Sequence, residues 1–380
     1  MKITFLMPCY AWGPSGGFRV VYEYASRLAK RGHRVTVVHP RQLRFIPRER
    51  HPYWKIRAAV FRFRESFRTP TVDWMEVNPD VHLLYTATSH FRDIPDGDMI
   101  FATAWHTVAS VLACPEAKGV RGYLIQGYES WQGPKDDVDR TWRSPLRKVV
   151  VSRWLVEKGR QLGVTDVTYI PNGVDCLRYI PSHPIDARLP RVAMMYSTVE
   201  SKGSAEAITA LTAAKRIFPG LEAVAFGICR RPNTLPEWIE YHRNPPQNFL
   251  IHHIYGKSSI FISSSWAEGF ALPPAEALAC GCAVVATDSG GIREFIRDGA
   301  TGLLSPPKDS SALAKNLLRL LADDSLRIEL VRRGLAVIRT FNWERSVTCL
   351  EAFIVQSVHN RNTPYMTDWQ NSYGSISSAR

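Results

Sequence analysis

Hydrophobic residues along the chain form two alternating patterns: short continuous apolar runs and longer stretches with helical spacing. The first run, residues 2–8, is almost entirely apolar and predicts a buried parallel strand. After the glycine-rich turn 13–17, apolar residues over 18–29 recur every three to four positions, which predicts an amphipathic helix. Gly32 is expected to end this helix, and Arg34–His39 to form the next strand. The chain therefore begins with a strand, glycine loop, helix and strand.

The same alternation continues along most of the chain and predicts an α/β protein. Further strands are predicted at Met99–Thr103, Tyr123–Gln126, Val149–Val151, Val167–Ile170, Val192–Tyr196, Glu222–Phe226, Ile260–Ser264 and Ala283–Thr287. Helical spacing returns over 309–322, 324–340 and 343–358. Ser152 is the predicted N-cap of the helix that follows Val151.

A segment rich in proline and polar residues, 171–190, predicts a linker between two domains. We expect a first α/β domain at 1–175 and a second at 176–341. A last helix at 342–360 is expected to follow, and the polar tail 361–380 is expected to be disordered.

Composition narrows the classes of function. The chain has 380 residues, 45% of them hydrophobic, and a net charge of +13, which attracts phosphates, nucleic acid or anionic lipid. Because no zinc-finger spacing, RNA-recognition signature or helix-turn-helix is visible, a nucleic-acid partner is not expected. The seven scattered cysteines and the lack of any run of about 18 apolar residues predict a cytoplasmic protein, at most peripheral on the inner face of the membrane.

The segment 41–70 departs from the α/β pattern. It holds nine basic and two acidic residues among six aromatic ones. This mixture is typical of segments that lie on an anionic membrane surface. A solvated basic face with a few core aromatics is an equally good interpretation, because long basic side chains also cover apolar surface.

Two glutamates eight residues apart are the strongest candidates for chemistry. Glu268 follows a strand, and Glu276 lies inside a helix whose first turn contains Pro273 and Pro274. The N-terminus of such a helix offers N–H groups and a positive dipole end to a phosphate. Glu276, one turn further on, is placed to accept hydrogen bonds from ribose hydroxyls. Without further context, two solvated glutamates would be the better interpretation of this spacing.

The next predicted strand supplies that context. It ends in the glycine turn Gly290-Gly291, again before a helix. In an open α/β sheet, ligands bind at the carboxyl ends of the strands. Two consecutive strands therefore deliver Glu268 and the glycine pair to one rim of the sheet.

The stretch Ser265–Leu304 resembles the retaining GT-B glycosyltransferases of family 4. Weaker similarities are Ser15-Gly16-Gly17, Pro171–Asp175 and Phe341–Trp343, and the loop 126–131 is similar to rhamnan-synthesis members. The resemblance implies two Rossmann-like domains facing each other across a cleft. It also implies transfer of a sugar from a nucleotide-diphosphate-sugar to a hydroxyl of a glycan or lipid-linked acceptor, with retention of configuration, in the synthesis of cell-surface polysaccharide or glycoconjugate.

The resemblance also assigns roles on the donor side. Glu276 would hold the ribose, and Glu268, counted with His106 as catalytic, would face the donor sugar. The backbone of Phe270-Ala271-Leu272 would approach the sugar and diphosphate. Gly16 and Gly17 would give the diphosphate close backbone access, for which the lack of a side chain is the physical requirement.

One departure from the family pattern concerns the diphosphate. Lys202 matches the family's lysine, but Ser197 stands where the family has an arginine. Either another cation compensates, or the leaving group is stabilised less. His106 follows a predicted strand and is expected to contact the donor sugar, although such a histidine alone is more often a packed one.

Other functions remain open from the sequence. A nucleotide-sugar epimerase or a phosphorylase of GT-B fold is one alternative, and a non-catalytic sugar- or nucleic-acid-binding protein on the same scaffold is another. No Asp-x-Asp element is visible in a suitable loop, so neither a metal nor a cofactor is expected.

Overall fold

The computed structural model describes residues 1–10, 13–42, 72–130 and 133–361. The predicted membrane-facing segment 41–70 and the polar tail 361–380 therefore lie almost wholly outside the described residues.

The described residues form two parallel sheets. The first has the strand order β3-β2-β1-β4-β5-β6-β7 and the second the order β10-β9-β8-β11-β12-β13. The strands of the first are β1 Lys2–Leu6, β2 Arg34–Gln42, β3 His82–Thr88, β4 Met99–Ala102, β5 Val120–Ile125, β6 Arg147–Val150 and β7 Val167–Tyr169. Those of the second are β8 Arg191–Met195, β9 Glu222–Gly227, β10 Ile239–Arg243, β11 Ile260–Ser263, β12 Ala283–Thr287 and β13 Leu303–Ser305.

Helices connect the strands and cover both sheets. They are α1 Gly16–Lys30, α2 Val108–Leu112, α3 Lys135–Trp142, α4 Arg153–Gln161, α5 Ser204–Ile217, α6 Gln247–Phe249, α7 Leu272–Ala279, α8 Ser310–Ala322, α9 Asp324–Ile338 and α10 Trp343–His359. A π-helical stretch, Leu250–Tyr255, continues α6. Within the described ranges, no helix is long and apolar enough to cross a bilayer.

The α/β class predicted from the sequence is confirmed, whereas β3, β10 and β13 were not predicted. All three are edge strands. A central parallel strand is covered on both faces and therefore reads as a continuous apolar run. β3 and β10 each have only one fully buried residue, so their sequences lack that run.

The order of the strands reverses between β1 and β4 in the first sheet and between β8 and β11 in the second. Ligands of open α/β sheets bind at such switch points, beyond the carboxyl ends of the strands. Both reversals lie beside the loops that carry the predicted site residues.

The last helix, α10, returns to the first sheet and packs against α1. The Asn342 side chain caps it by accepting a hydrogen bond from the Arg345 N–H at 2.9 Å. The rings of Tyr24 and Trp343 meet edge to face, 5.4 Å between centroids. Glu351 accepts from Arg31 at 2.7 Å, which adds a polar contact at the edge of the packing. Helix α10 thus completes the first domain.

Candidate active site between the two domains

The carboxyl ends of the two sheets meet at one cleft. On the first-domain side lie the glycine loop after β1, the turn Trp105–Thr107 after β4 and Gln126 after β5. On the second-domain side lie Lys202, Glu268 and the Gly290-Gly291 pair, after β8, β11 and β12. The rim predicted from the sequence therefore exists.

Glu268 is held by its backbone and paired through its side chain. Its N–H donates to the Ser289 carbonyl at 2.8 Å, and its carbonyl accepts from the Gly291 N–H at 3.2 Å. The Lys202 ammonium lies 2.7 Å from Glu268 Oε1. The structure thus brings together two residues that the sequence assigned to the donor sugar and the diphosphate.

A tight turn positions Lys202. Gly203 has φ +64°, and a Cβ there would lie 2.0 Å from the Ser264 carbonyl oxygen. The Ser264 hydroxyl also donates to the Gly203 carbonyl at 2.5 Å. Because only glycine fits this approach, the lysine is fixed over the end of β11.

Helix α7 begins from a strained residue. Ala271, its N-cap, has φ 68° and ψ 64°, a left-handed conformation that is costly for a residue with a Cβ. Pro273 and Pro274 in the first turn have no N–H, and the Ala275 N–H donates to the Ala271 carbonyl at 3.3 Å, so the N–H groups that the helix start offers to a ligand are those before Pro273. Across the cleft, a Cβ on Gly16 would lie 3.8 Å from Leu272 Cδ1. The glycine loop therefore faces the start of α7.

Glu276 is buried, with 5% of its surface exposed, and its partner comes from the other domain. Arg19, in the first turn of α1, forms an ion pair with Glu276 Oε1. The Tyr255 hydroxyl donates to Oε2 at 3.4 Å, and Arg19 also donates to the Tyr179 hydroxyl at 3.0 Å. Burial raises the pKa of Glu276, while Arg19 and the tyrosine hydroxyls act against that rise. Burial by itself would lower the pKa of Arg19, but Glu276 raises it above its ordinary value.

Sequence reasoning missed Arg19. It was counted only as a polar position of an amphipathic helix. The pattern that could have indicated its role is an arginine two residues after Gly16-Gly17.

The two domains approach each other closely at Gly269. A Cβ there would lie 1.6 Å from the Gln126 carbonyl oxygen. The Trp154 indole N–H, from α4, donates to the Gly269 carbonyl at 3.2 Å. On the other side of Gln126, its Oε1 lies 3.6 Å from where a Cβ on Gly17 would stand. Gly269 therefore allows the two backbones to approach each other, while Gly17 lies beside the Gln126 side chain.

The N-terminus of α4 is capped across the domain interface, and the prediction for Ser152 needs correction. Ser152 occupies the N-cap position, but its hydroxyl makes no capping hydrogen bond. Instead Glu294 Oε1 accepts from the Arg153 N–H at 2.5 Å, and its other oxygen accepts from the Tyr169 hydroxyl. A carboxylate is the stronger acceptor and suits the positive end of the helix, so it takes the place of the serine.

His106 lies on the turn after β4, beside Trp105, with ring centroids 5.4 Å apart. Burial lowers the pKa of His106 to about 4, so the imidazole is neutral near pH 7. Among the described residues, His106 has no hydrogen bond to Glu268, Lys202 or Glu276. Nearby, Glu129 accepts from the Trp105 N–H at 2.8 Å, and burial raises the pKa of Glu129 to about 7.

A cavity of about 660 Å³ lies beside this constellation, between the glycine loop and the ends of β9 and β10. Its lining residues are Tyr10, Gly13, Pro14, Ser15 and Phe18 from the first domain and Ile228, Arg243 and Asn244 from the second. Ligand pockets of proteins span about 300–1,000 Å³, so the cavity is of the size that holds a small molecule.

The described part of the chain contains no group of three or more His, Cys, Asp or Glu side chains arranged to hold a metal ion. Lys202, Arg19 and the start of α7 are the positive features that the cleft offers to an anion.

Comparison with known protein families identifies the family of the chain. Residues 14–178 match the model of Glycosyltransferase Family 4, and residues 179–336 match that of Glycosyl transferases group 1. The chain belongs to glycosyltransferase family 4. The family predicted from the motifs is thereby confirmed.

Curated relatives share limited stretches with this family 4 chain. It is 36% identical over 111 residues, 29% of the chain, to O-antigen chain mannosyltransferase B of Escherichia coli. It is 24% identical over 290 residues, 73% of the chain, to glycogen synthase of Mycobacterium tuberculosis. The chain spans 28% and 65% of the lengths of these two proteins, less than two thirds of either.

Solved structures share the fold over nearly the whole chain. Sucrose-phosphate synthase from Thermosynechococcus elongatus superposes with a TM-score of 0.71 at 18% identity, covering 94% of this chain and 98% of that one. Anabaena HepE in complex with UDP and glucose superposes with a TM-score of 0.68 at 16% identity, covering 94% and 100%. The predicted GT-B fold of two Rossmann-like domains is confirmed by these neighbours.

Proposed function

We propose that the chain transfers a sugar from a nucleotide-diphosphate-sugar to a hydroxyl of a glycan or lipid-linked acceptor, with retention of configuration. The proposal includes a role in the synthesis of a cell-surface polysaccharide or glycoconjugate. The relative acting on O-antigen chains and the UDP-bound neighbour support the acceptor and donor classes.

The observation that carries the proposal is the convergence of charge and backbone at the start of α7. Lys202 and Glu268 are in contact at 2.7 Å, Glu276 is buried one turn into the helix, and Gly16 faces Leu272 across the cleft. A diphosphate at the helix start would meet a cation, N–H groups and a loop without side chains. Ribose hydroxyls would then reach the Glu276 carboxylate, and the cavity beside the glycine loop would receive the base.

The chemistry follows from what these residues can do. As the bond between the anomeric carbon and the diphosphate oxygen breaks, negative charge grows on the phosphate, and Lys202 and the helix start stabilise it. The acceptor hydroxyl forms the new bond from the same face and gives its proton to the departing phosphate oxygen. Neutral His106 acts as a hydrogen-bonding group that orients the donor sugar.

Glu268 is assigned to sugar hydroxyls and not to covalent catalysis. A retaining enzyme with a covalent intermediate needs a carboxylate beside the anomeric carbon. The Glu268 carboxylate is ion-paired with Lys202, which ties it to the diphosphate side of the cleft. The front-face route therefore needs only positioning and electrostatic stabilisation.

The test uses donors alone, so it does not depend on knowing the acceptor. UDP, GDP, ADP and dTDP are first compared by thermal shift, because a ligand that binds the native state raises its melting temperature. The matching nucleotide-sugars are then incubated with the protein, and proton NMR follows the first sugar released to water. Retention predicts the donor's own anomer before mutarotation. Release of the opposite anomer, or no stabilisation by any of the diphosphates, would reject the proposal.

A further inference from the structure

Each glutamate of the pair at 268 and 276 forms an ion pair with a cation in the cleft. Glu268 pairs with Lys202 from its own domain, and Glu276 pairs with Arg19 from the opposite domain. Under the proposed function, the two glutamates meet donor hydroxyls and the cations meet donor phosphates. The four groups that would bind a donor therefore balance one another's charge in this structure.

Ser197 leaves the second domain one positive charge short at this place. The serine is used within its own turn: its hydroxyl accepts from the Val199 N–H at 3.1 Å, and its N–H donates to the Ser204 hydroxyl at 2.9 Å. A diphosphate carries about two negative charges, and one lysine meets only part of that charge. A second cation from elsewhere in the cleft would supply the missing charge.

Arg19 has the position and the chemistry to be that cation. It stands two residues after Gly17, in the first turn of a helix that carries no acidic residue in that turn. Gly16, three residues before it, faces the start of α7 at Leu272. Glu276 lies four residues beyond Leu272, about 6 Å along the helix axis, so the guanidinium needs only to swing by roughly one turn. A guanidinium also matches phosphate oxygens in a two-pronged geometry that an ammonium lacks.

We infer that Arg19 is the second diphosphate-binding cation of this chain, supplied across the cleft by the first domain. The inference rests on the proposed function. On donor binding the guanidinium exchanges Glu276 for phosphate oxygens, and the ribose hydroxyls take the carboxylate that it leaves. Glu276 keeps the Tyr255 hydroxyl as a second donor, so the buried charge is solvated throughout the exchange.

Two simpler roles for Arg19 make different predictions. If Arg19 only keeps Glu276 ionised and in place, its loss weakens every ligand that carries a ribose, whether or not phosphates are attached. If Arg19 only blocks Glu276, its loss strengthens all of them. Of the three roles, only phosphate binding changes the ratio between the affinities for a nucleoside diphosphate and for its nucleoside.

The experiment measures that ratio by calorimetry. Uridine and UDP are the first probe pair, replaced by guanosine and GDP or adenosine and ADP if those diphosphates stabilise the wild type more. In Arg19→Gln we expect the preference for the diphosphate over the nucleoside to fall at least tenfold, and Arg19→Lys to restore part of it. Lys30→Gln is the control on the same helix, since Lys30 is exposed at the opposite end of α1 from Arg19, and its ratio is expected to equal the wild-type ratio.

Arg243 is the alternative candidate for the second diphosphate-binding cation, because it lines the neighbouring cavity. A tenfold loss of the ratio in Arg243→Gln, with Arg19→Gln unchanged, would overturn the inference. Equal weakening of diphosphate and nucleoside in Arg19→Gln would overturn it as well. In either case wild-type binding of the diphosphate leaves the proposed function standing. If the wild type binds none of the diphosphates, the proposed function fails and the inference fails with it.

Removal of Arg19 alone leaves Glu276 as an unpaired buried charge and can prevent folding. A comparison of the single variant Glu276→Gln with the double variant Glu276→Gln, Arg19→Gln avoids this, because neither variant carries a buried carboxylate without its cation. The same tenfold difference in ratio is expected between these two variants, and its absence would refute the phosphate role.

Discussion

The contact between the two domains at Gly269 can be tested sharply by adding a single methyl group, as in Gly269→Ala. A Cβ at this position would lie 1.6 Å from the Gln126 carbonyl oxygen, whereas real Cβ atoms stay at least 3.0 Å from such neighbours. In Gly269→Ala the two domains must therefore part by about 1.4 Å at this point. Gly269 does not have a positive φ, so alanine is compatible with its backbone conformation.

The separation has a calculable cost. The hydrogen bond from the Trp154 indole to the Gly269 carbonyl, now 3.2 Å, would stretch beyond hydrogen-bond range. Loss of a buried hydrogen bond costs about 1–3 kcal/mol, which reduces the closed population by about fivefold to 150-fold. A displacement of about 1 Å at the reacting groups reduces turnover on a similar scale. Lys202, Glu268 and α7 belong to the second domain, but Arg19 and the glycine loop belong to the first, so affinity for the diphosphate should fall together with turnover.

The assay compares the rate of nucleoside diphosphate release from a donor with the affinity for that diphosphate. Gly220→Ala is the matched control, because a Cβ at Gly220 meets nothing within 4 Å. We expect Gly269→Ala to lose turnover and part of its affinity for the diphosphate, and Gly220→Ala to keep both. Equal turnover in the two variants would show that this contact is not part of the active arrangement.

Three further predictions concern single groups of the site. Glu276→Ala should weaken nucleotide affinity by about 2–3 kcal/mol, the scale of charged hydrogen bonds, and unchanged affinity by calorimetry would remove the ribose assignment. Turnover should persist in a chelator, because cationic side chains and a helix start stabilise the charge of the leaving group. Full loss of turnover in chelator, restored by magnesium or manganese, would show that a divalent cation is needed. Since the pKa of Glu129 is raised to about 7, the folded state keeps its proton while the unfolded state loses it, so stability falls as pH rises from about 4.5 to 7. Glu129→Gln removes this penalty, and its advantage in melting temperature over the wild type should be larger at pH 8 than at pH 5, by the equivalent of about 1–2 kcal/mol.

The sequence was sufficient where the information is local. Glu268, the prolines of α7, Glu276 and the glycine pair all fall within one continuous stretch of about two strands and a helix. Their placement at one rim follows from the parallel order of those strands. The central strands were also predictable, because burial on both faces leaves a continuous apolar run.

Contacts between distant segments leave no local pattern in the sequence. Arg19 and Glu276 are 257 positions apart, and Arg153 and Glu294 are 141 apart. An arginine after a glycine loop and a serine before a helix each have ordinary local explanations. Ser152 shows the consequence: a side chain with the right identity at the right position was displaced by a carboxylate from the other domain.

The return of α10 to α1 has a consequence for how the protein is made. The polar contacts of Arg31 join residues that are 313 to 320 positions apart, so the first domain lacks part of its surface until the final helix leaves the ribosome. During synthesis, α1 would therefore expose the apolar edge that Trp343 later covers. Such long-range closure is slow, and it leaves an incomplete intermediate open to aggregation. A chain truncated before Asn342 should for that reason lose solubility of its first domain, although every residue of the two sheets is present.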